Sequence, residues 1–210
     1  AWLGLMAAAA AAGGVSAPAE ALTHYAQHFS AGTGEAPVAA ERHLLLDAYF
    51  KPHAAVRHVH YGAEAAGRVR EQLAGQTAAI SAIRLVIYPE AITYCGNRAP
   101  REPIQAQFSL SFGLAAALRH GGIEAGVYRG ERFQDPELRR LEALVQIEPD
   151  EALGAQGRRG ATLEVQAAGT TFRETVGAIP GDPEQPLSAE AVRAKFMRYA
   201  STCEIGRAHV

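Results

Sequence analysis

The sequence predicts an α+β fold: a small, mostly antiparallel sheet with packed helices, flanked by further helices on both sides. Three observations predict it. Stretches with apolar residues at helical spacing, such as 60–75 and 104–120, dominate the first two thirds of the chain. Short alternating runs at 145–148, 161–167 and 171–176 follow, with an earlier one at 80–87. Glycine and proline clusters separate the segments, an order that suits helices packed on an antiparallel sheet.

Taken in order, residues 1–12 read as the end of an alanine-rich helix stopped by Gly13-Gly14. Ser16 to His28 reads as a helix capped by Ser16, with Pro18 in its first turn. Gly32 to Pro37 is loop, and 40–49 a short helix or turn. Pro52 disfavours helix at Lys51 and forces a bend there. Residues 60–75 put Ala65, Val69 and Leu73 on one stripe. Ile80, Ile83, Leu85 and Ile87 suit a strand stopped by Pro89, and 90–103 reads as loop. Ile104 to His120 is apolar nearly all round, so it is expected to be one buried helix ended by Gly121-Gly122. Asp135-Pro136-Glu137 supplies a cap, a first-turn proline and a first-turn acid for a helix reaching Ala143. A strand at 145–148 and a hairpin turning at Ala168-Gly169 follow. Gly181 to Pro186 reads as a linker. Ser188 opens a last helix with Val192, Phe196 and Tyr199 on its apolar face.

With 210 residues, 48% hydrophobic and 20% charged, the chain has the composition of a globular domain with a real core. A net charge of -2 gives no overall attraction to nucleic acid or to an anionic membrane. Cys95 and Cys203 form neither a disulfide framework nor a zinc spacing, so a reducing cytoplasm is the expected location. The first apolar run is too short to span a bilayer, and no basic segment precedes it as a signal peptide requires. Glu204 to Val210 resembles a translated sequencing adapter, so the chain is expected to be an internal fragment with a non-native tail.

The densest cluster of titratable groups is Lys51-Pro-His-Ala-Ala-Val-Arg-His-Val-His60. Cations and histidines beside an apolar helix suit an anionic substrate and proton transfer, although such clusters on loops are often merely solvated. His24, His28, His43 and His120 show no partner pattern. Ser109 and Ser111 lack a nucleophile elbow, which excludes a serine hydrolase of that type, and no glycine motif for phosphate appears.

Four segments together resemble the MmgE/PrpD family, whose members include 2-methylcitrate dehydratase, cis-aconitate decarboxylase and iminodisuccinate epimerase. Lys51 to His60 resembles the family's Lys-Pro-Tyr-Pro-Cys-Cys-Arg-x-x-His. Ala106-Gln-Phe-Ser-Leu-Ser-Phe resembles its Ala-Lys-Phe-Ser-Leu-Pro-Tyr. Asp135-Pro136, and Gly181-Asp-Pro-Glu-Gln-Pro-Leu-Ser-Ala-Glu190 with Lys195-Phe196, complete the pattern. The resemblance implies an α+β lid domain at 51–179, with 1–50 and the linker and helix of 180–203 belonging to an all-helical domain. Residues 204–210 form the tail.

The resemblance further implies a cofactor-free, metal-free site between the domains, acting on a di- or tricarboxylate, in a homodimer with no nucleic-acid or membrane partner. It puts catalytic roles on Lys51 and His60, and substrate-binding roles on Arg57, His58 and Tyr94. Val56 stands where decarboxylase-type members can carry a His, which disfavours decarboxylation. The expected activity is that of a hydro-lyase like 2-methylcitrate dehydratase, with the fragment alone inactive. A proton-abstracting epimerase or isomerase is the alternative within the family, and a non-catalytic α+β binding module the alternative outside it.

Overall fold

The computed structural model describes residues 2–16, 20 and 48–200. Contacts divide the chain into two compact units, Ala1–Leu45 and Leu46–Val210. In the first, α1 (Trp2–Ala12) ends at Gly13 and Gly14, the latter left-handed at φ 84°. Most of the helix expected over 16–28, the loop of 32–37 and most of the short helix or turn expected over 40–49 lie outside the described residues. So do His24, His28, His43, Cys203 and the tail 204–210.

The second unit is built on a four-stranded sheet in the order β2-β1-β3-β4, from β1 (Ile80–Ile87), β2 (Val145–Pro149), β3 (Ala161–Ala167) and β4 (Thr170–Val176). The fold is α+β. The sheet is mixed: β1 pairs antiparallel with β3 and β3 with β4, while β1 runs parallel to β2. The parallel pair follows from the helical connection between them, since a crossover of that length returns the chain to the same end of the sheet.

Alternation decides the faces. Ile83, Leu85 and Ile87 of β1 and Leu163 and Val165 of β3 are buried. Ile80 is buried too, although it is out of step with Ile83; a register shift between Ile80 and Ala82 inserts the residue that brings both to the same face. On the other face Arg84 bridges Glu148 of β2 (2.6 Å) and Glu164 of β3 (3.1 Å), and Arg173 of β4 reaches Glu164 (3.2 Å). Cross-strand pairs of this kind hold register on a wet face.

Helix α2 (Arg57–Gln72) packs against β3 and β4, with Val59, Ala65 and Val69 among its buried residues. The short α3 (Pro89–Cys95) and α4 (Pro103–Gln107) fall within or at the end of the segment expected to be loop. Pro89 therefore begins a helix as its first-turn residue as well as ending β1. The single helix expected over 104–120 is two, α4 and α5 (Leu110–His120), broken at Phe108-Ser109. Ser109 is the reason: its hydroxyl accepts the Phe112 N–H (3.2 Å), capping α5, and donates to the Asn97 carbonyl (2.6 Å). Leu114 and Leu118 are buried as expected, while Phe108 at the break is 44% exposed.

Beyond α5 come α6 (Gly130–Phe133), α7 (Pro136–Leu144) and α8 (Glu151–Ala155). Asp135 caps α7 through the Glu137 N–H (2.9 Å), as its position before Pro136 predicts. The hairpin turns at Ala168 and Gly169, both at positive φ, the conformation a two-residue turn of type I′ requires. The final helix, α9 (Ala189–Ala200), has no buried residue, and Phe196 of its predicted apolar face is 67% exposed. Among the described residues, no helix is long and apolar enough to cross a membrane.

Candidate functional site

The Lys-Pro bend is held almost entirely by backbone groups. Phe50 N–H donates to the Gly181 carbonyl (2.9 Å), Ala54 N–H to Ile123 (2.8 Å) and Val56 N–H to Gln107 (3.0 Å). Val56 is extended (ψ 147°), so α2 starts abruptly at Arg57 with no side-chain cap. Gly181 is left-handed (φ 95°), and a Cβ there would lie 2.1 Å from the Phe50 carbonyl oxygen. Only glycine lets the later segment close on the bend.

Beside the bend lies an open hollow of about 680 Å³. Lys51, His53, Val56, Phe108, Arg129 and Lys195 line it, and among the described residues no aspartate or glutamate does. Lys195 reaches it from α9, where its ammonium donates to the Lys51 carbonyl oxygen.

Two histidines meet at this wall, His53 lining the hollow and His60 packed against it. His53 Nδ1 accepts the Ile123 N–H (3.3 Å), so its neutral form carries the proton on Nε2, a buried atom with no partner among the described residues. Its ring meets that of His60 edge-on at 5.2 Å. His60 is 1% exposed, and its Nε2–H donates to the Ala55 carbonyl (3.2 Å). Burial first, then the neighbouring His53, push the His60 pKa down to about 3, so its ring is neutral at physiological pH. Burial also lowers His53.

The other predicted residues lie elsewhere. Arg57 is paired with Asp182, which is 3% exposed, and its guanidinium stacks on the Tyr49 ring at 4.4 Å. His58 Nδ1 lies 2.6 Å from the Tyr88 hydroxyl, and its ring stacks on Tyr94 at 5.6 Å. None of Arg57, His58, His60 or Tyr94 lines the hollow. Helical periodicity explains part of this: His58 and His60, two positions apart on α2, leave it on opposite sides.

Sequence reading missed Asp182, Arg129 and Lys195. Asp182 lies in a segment read as a linker, yet Gly-Asp-Pro signals an ordered turn. Lys195 stood in a quoted motif without a role, and Arg129 carried no signal. Ser109 and Ser111 are buried and bonded to each other (3.1 Å), and Cys95 is a buried free thiol whose pKa burial raises to about 11. Among the described residues, no group of His, Cys, Asp and Glu is placed to hold a metal ion.

Residues 53–205 match the MmgE/PrpD C-terminal domain. The chain belongs to the MmgE/PrpD family. Over 161 residues it is 27% identical to the cis-aconitate decarboxylase of Mus musculus, a stretch that covers 74% of this chain and 33% of that protein. The chain thus spans about a third of the length of this relative. The MmgE/PrpD match includes the bend from His53, the α2 residues Arg57 to His60, the hollow residues Arg129 and Lys195, and the Gly181-Asp182 turn. Lys51 lies two positions before it.

Proposed function

We propose that this MmgE/PrpD chain forms one wall of the active site of a hydro-lyase that removes water from a citrate-like di- or tricarboxylate, as 2-methylcitrate dehydratase does. The observation that carries the reading is the hollow lined by Lys51, Arg129 and Lys195 and by no carboxylate among the described residues. Cations without counter-charges in one concavity suit a ligand that brings several negative charges.

In such a dehydration a C–H bond beside a carboxylate and the C–O bond to a hydroxyl both break. A carbon–carbon double bond forms and water departs. The substrate carboxylates need cations, the carbon-bound proton needs a base, and the leaving hydroxyl needs an acid. Here Lys51, Arg129 and Lys195 hold carboxylates, with Lys51 also a proton donor on this wall. His60 acts through His53, whose ring lies between it and the hollow. The base belongs to the part of the protein outside this chain. On this reading 51–179 is a lid over an all-helical domain to which 1–50 and 180–203 belong. The complete protein works as a cytoplasmic homodimer without metal or organic cofactor.

Decarboxylation is the second reading, supported by the similarity to cis-aconitate decarboxylase. Val56 weighs against it, because it stands where the motif of such members can carry a His.

The test uses the complete protein with 2-methylcitrate and with cis-aconitate. Dehydration is followed by the absorbance of the new double bond, decarboxylation by release of carbon dioxide. Lys51→Ala is expected to lower turnover of the preferred acid about a hundredfold, the scale for losing a positioned charge or acid group. Near-normal turnover in that variant would remove Lys51 from the site. Solvent-proton exchange into the substrate without loss of water or carbon dioxide would replace the hydro-lyase by an epimerase.

A further inference from the structure

A second concavity lies away from the Lys51 hollow and shares no lining residue with it. It measures about 400 Å³ and is lined by Arg98, Arg101, Gln134, Arg139 and Glu142. Two of its three guanidiniums are fixed in place. Arg98 donates through Nη2 to the Val145 carbonyl oxygen, at the start of β2. Arg139 donates through Nη1 to Glu142 Oε2 (2.7 Å) and to the Pro100 carbonyl (3.3 Å), and its guanidinium lies 4.5 Å above the Phe133 ring. A guanidinium carries five N–H donors, so each keeps donors beyond those the protein uses. Arg101 stands exposed at the rim, where its side chain makes no hydrogen bond or ion pair within the described residues.

The one carboxylate among the described lining residues, Glu142, pairs with Arg139 and leaves Arg98 and Arg101 without a counter-charge in the concavity. Glu142 has a side chain 5% exposed. Burial raises its pKa, which opposes the pull of Arg139 toward the charged form. Even with Glu142 ionised, three guanidiniums face one carboxylate.

We propose that this concavity is a binding site for a small oxyanion of at least two charges, a phosphate group or a compact polycarboxylate, held by Arg98, Arg101 and Arg139. Immobilised guanidiniums with spare donors form paired hydrogen bonds to either group at little further ordering cost. The segment that would be braced, 98–101, runs directly into α4, whose Pro103 and Gln107 line the Lys51 hollow.

The test titrates inorganic phosphate, and separately citrate, into the isotopically labelled chain at low salt, following backbone amide shifts. Saturable shifts are expected at residues 98–101 and around Arg139. Arg101→Glu reverses a rim charge whose side chain makes no hydrogen bond or ion pair among the described residues, so it is expected to leave the structure intact and to weaken binding at least about tenfold. Lys51→Ala is expected to leave this site unaffected, which separates it from the proposed active site. Tighter phosphate binding identifies a phosphate-bearing ligand, and tighter citrate binding at 98–101 a polycarboxylate. Shifts confined to 51–56 and 195, no saturation by either anion, or equal affinity in Arg101→Glu would overturn the proposal.

Discussion

His60 is packed beneath the bend at 1% exposure, with its Nε2–H on the Ala55 carbonyl. Its folded pKa of about 3 lies below the ordinary 6.5, so between these values the unfolded chain binds a proton that the folded chain refuses. Stability is therefore full above about pH 6.5 and falls as the pH drops toward 3. His53, His58 and His120 are shifted in the same direction and add to the slope. The urea midpoint is expected to drop between about pH 7.5 and about pH 5.5, and His60→Gln to flatten that drop. An unchanged slope in the variant would mean that His60 is not held neutral. Arg57 makes a different case, one half of a largely buried ion pair. Arg57→Ala leaves Asp182 buried without its cation, and is expected to cost about 3–5 kcal/mol in chemical denaturation. Arg57→Lys is expected to recover only part of this, since it loses the stacking on Tyr49.

At the scale of elements, the close crossing of α2 and α5 positions the bend. Gly113 of α5 faces α2, and a Cβ there would come 2.2 Å from Val59 Cγ1. Gly62 of α2 is the reciprocal notch, where an added Cβ would lie 3.2 Å from Leu114 Cδ2. Gly113→Ala would gain about 1 kcal/mol of helix propensity and lose about 1–3 kcal/mol to overpacking, so net destabilisation is expected. Adding Val59→Ala removes the clashing methyl and should recover part of the loss, which a double-mutant cycle in urea measures. Additive losses would show that the two helices do not meet through this pair.

For the whole molecule, charge distribution matters more than charge total. The chain carries a net -2, yet the described residues lining the Lys51 hollow include cations and no anion. Attraction of a polycarboxylate is thus local and screened over about 8–10 Å in ordinary buffers. Citrate binding by the chain, followed at the amides of 51–56, is expected to weaken several-fold between about 20 mM and about 200 mM salt. Salt-independent binding there would mean that apolar contacts, not the cations, hold the ligand.

The elements that carry their own local signals were legible in the sequence. The β3–β4 hairpin has its Ala-Gly turn, α7 its Asp-Pro-Glu start, and α5 its glycine stop. The family motif was legible too, because its residues are contiguous. Tertiary structure alone decided the rest. It broke the 104–120 helix, because the Ser109 hydroxyl found the distant Asn97 carbonyl. It made β1 and β2 parallel, because helices rather than a turn join them. It also sorted the histidine cluster: the rings of His53 and His60 meet, but the start of α2 at Arg57 turned His58 away to Tyr88 and Tyr94. The hollow was out of reach for the same reason. Lys51, Arg129 and Lys195 are far apart along the chain, and only the docking of α9 on the bend, with Lys195 on the Lys51 carbonyl, brings their charges to one place.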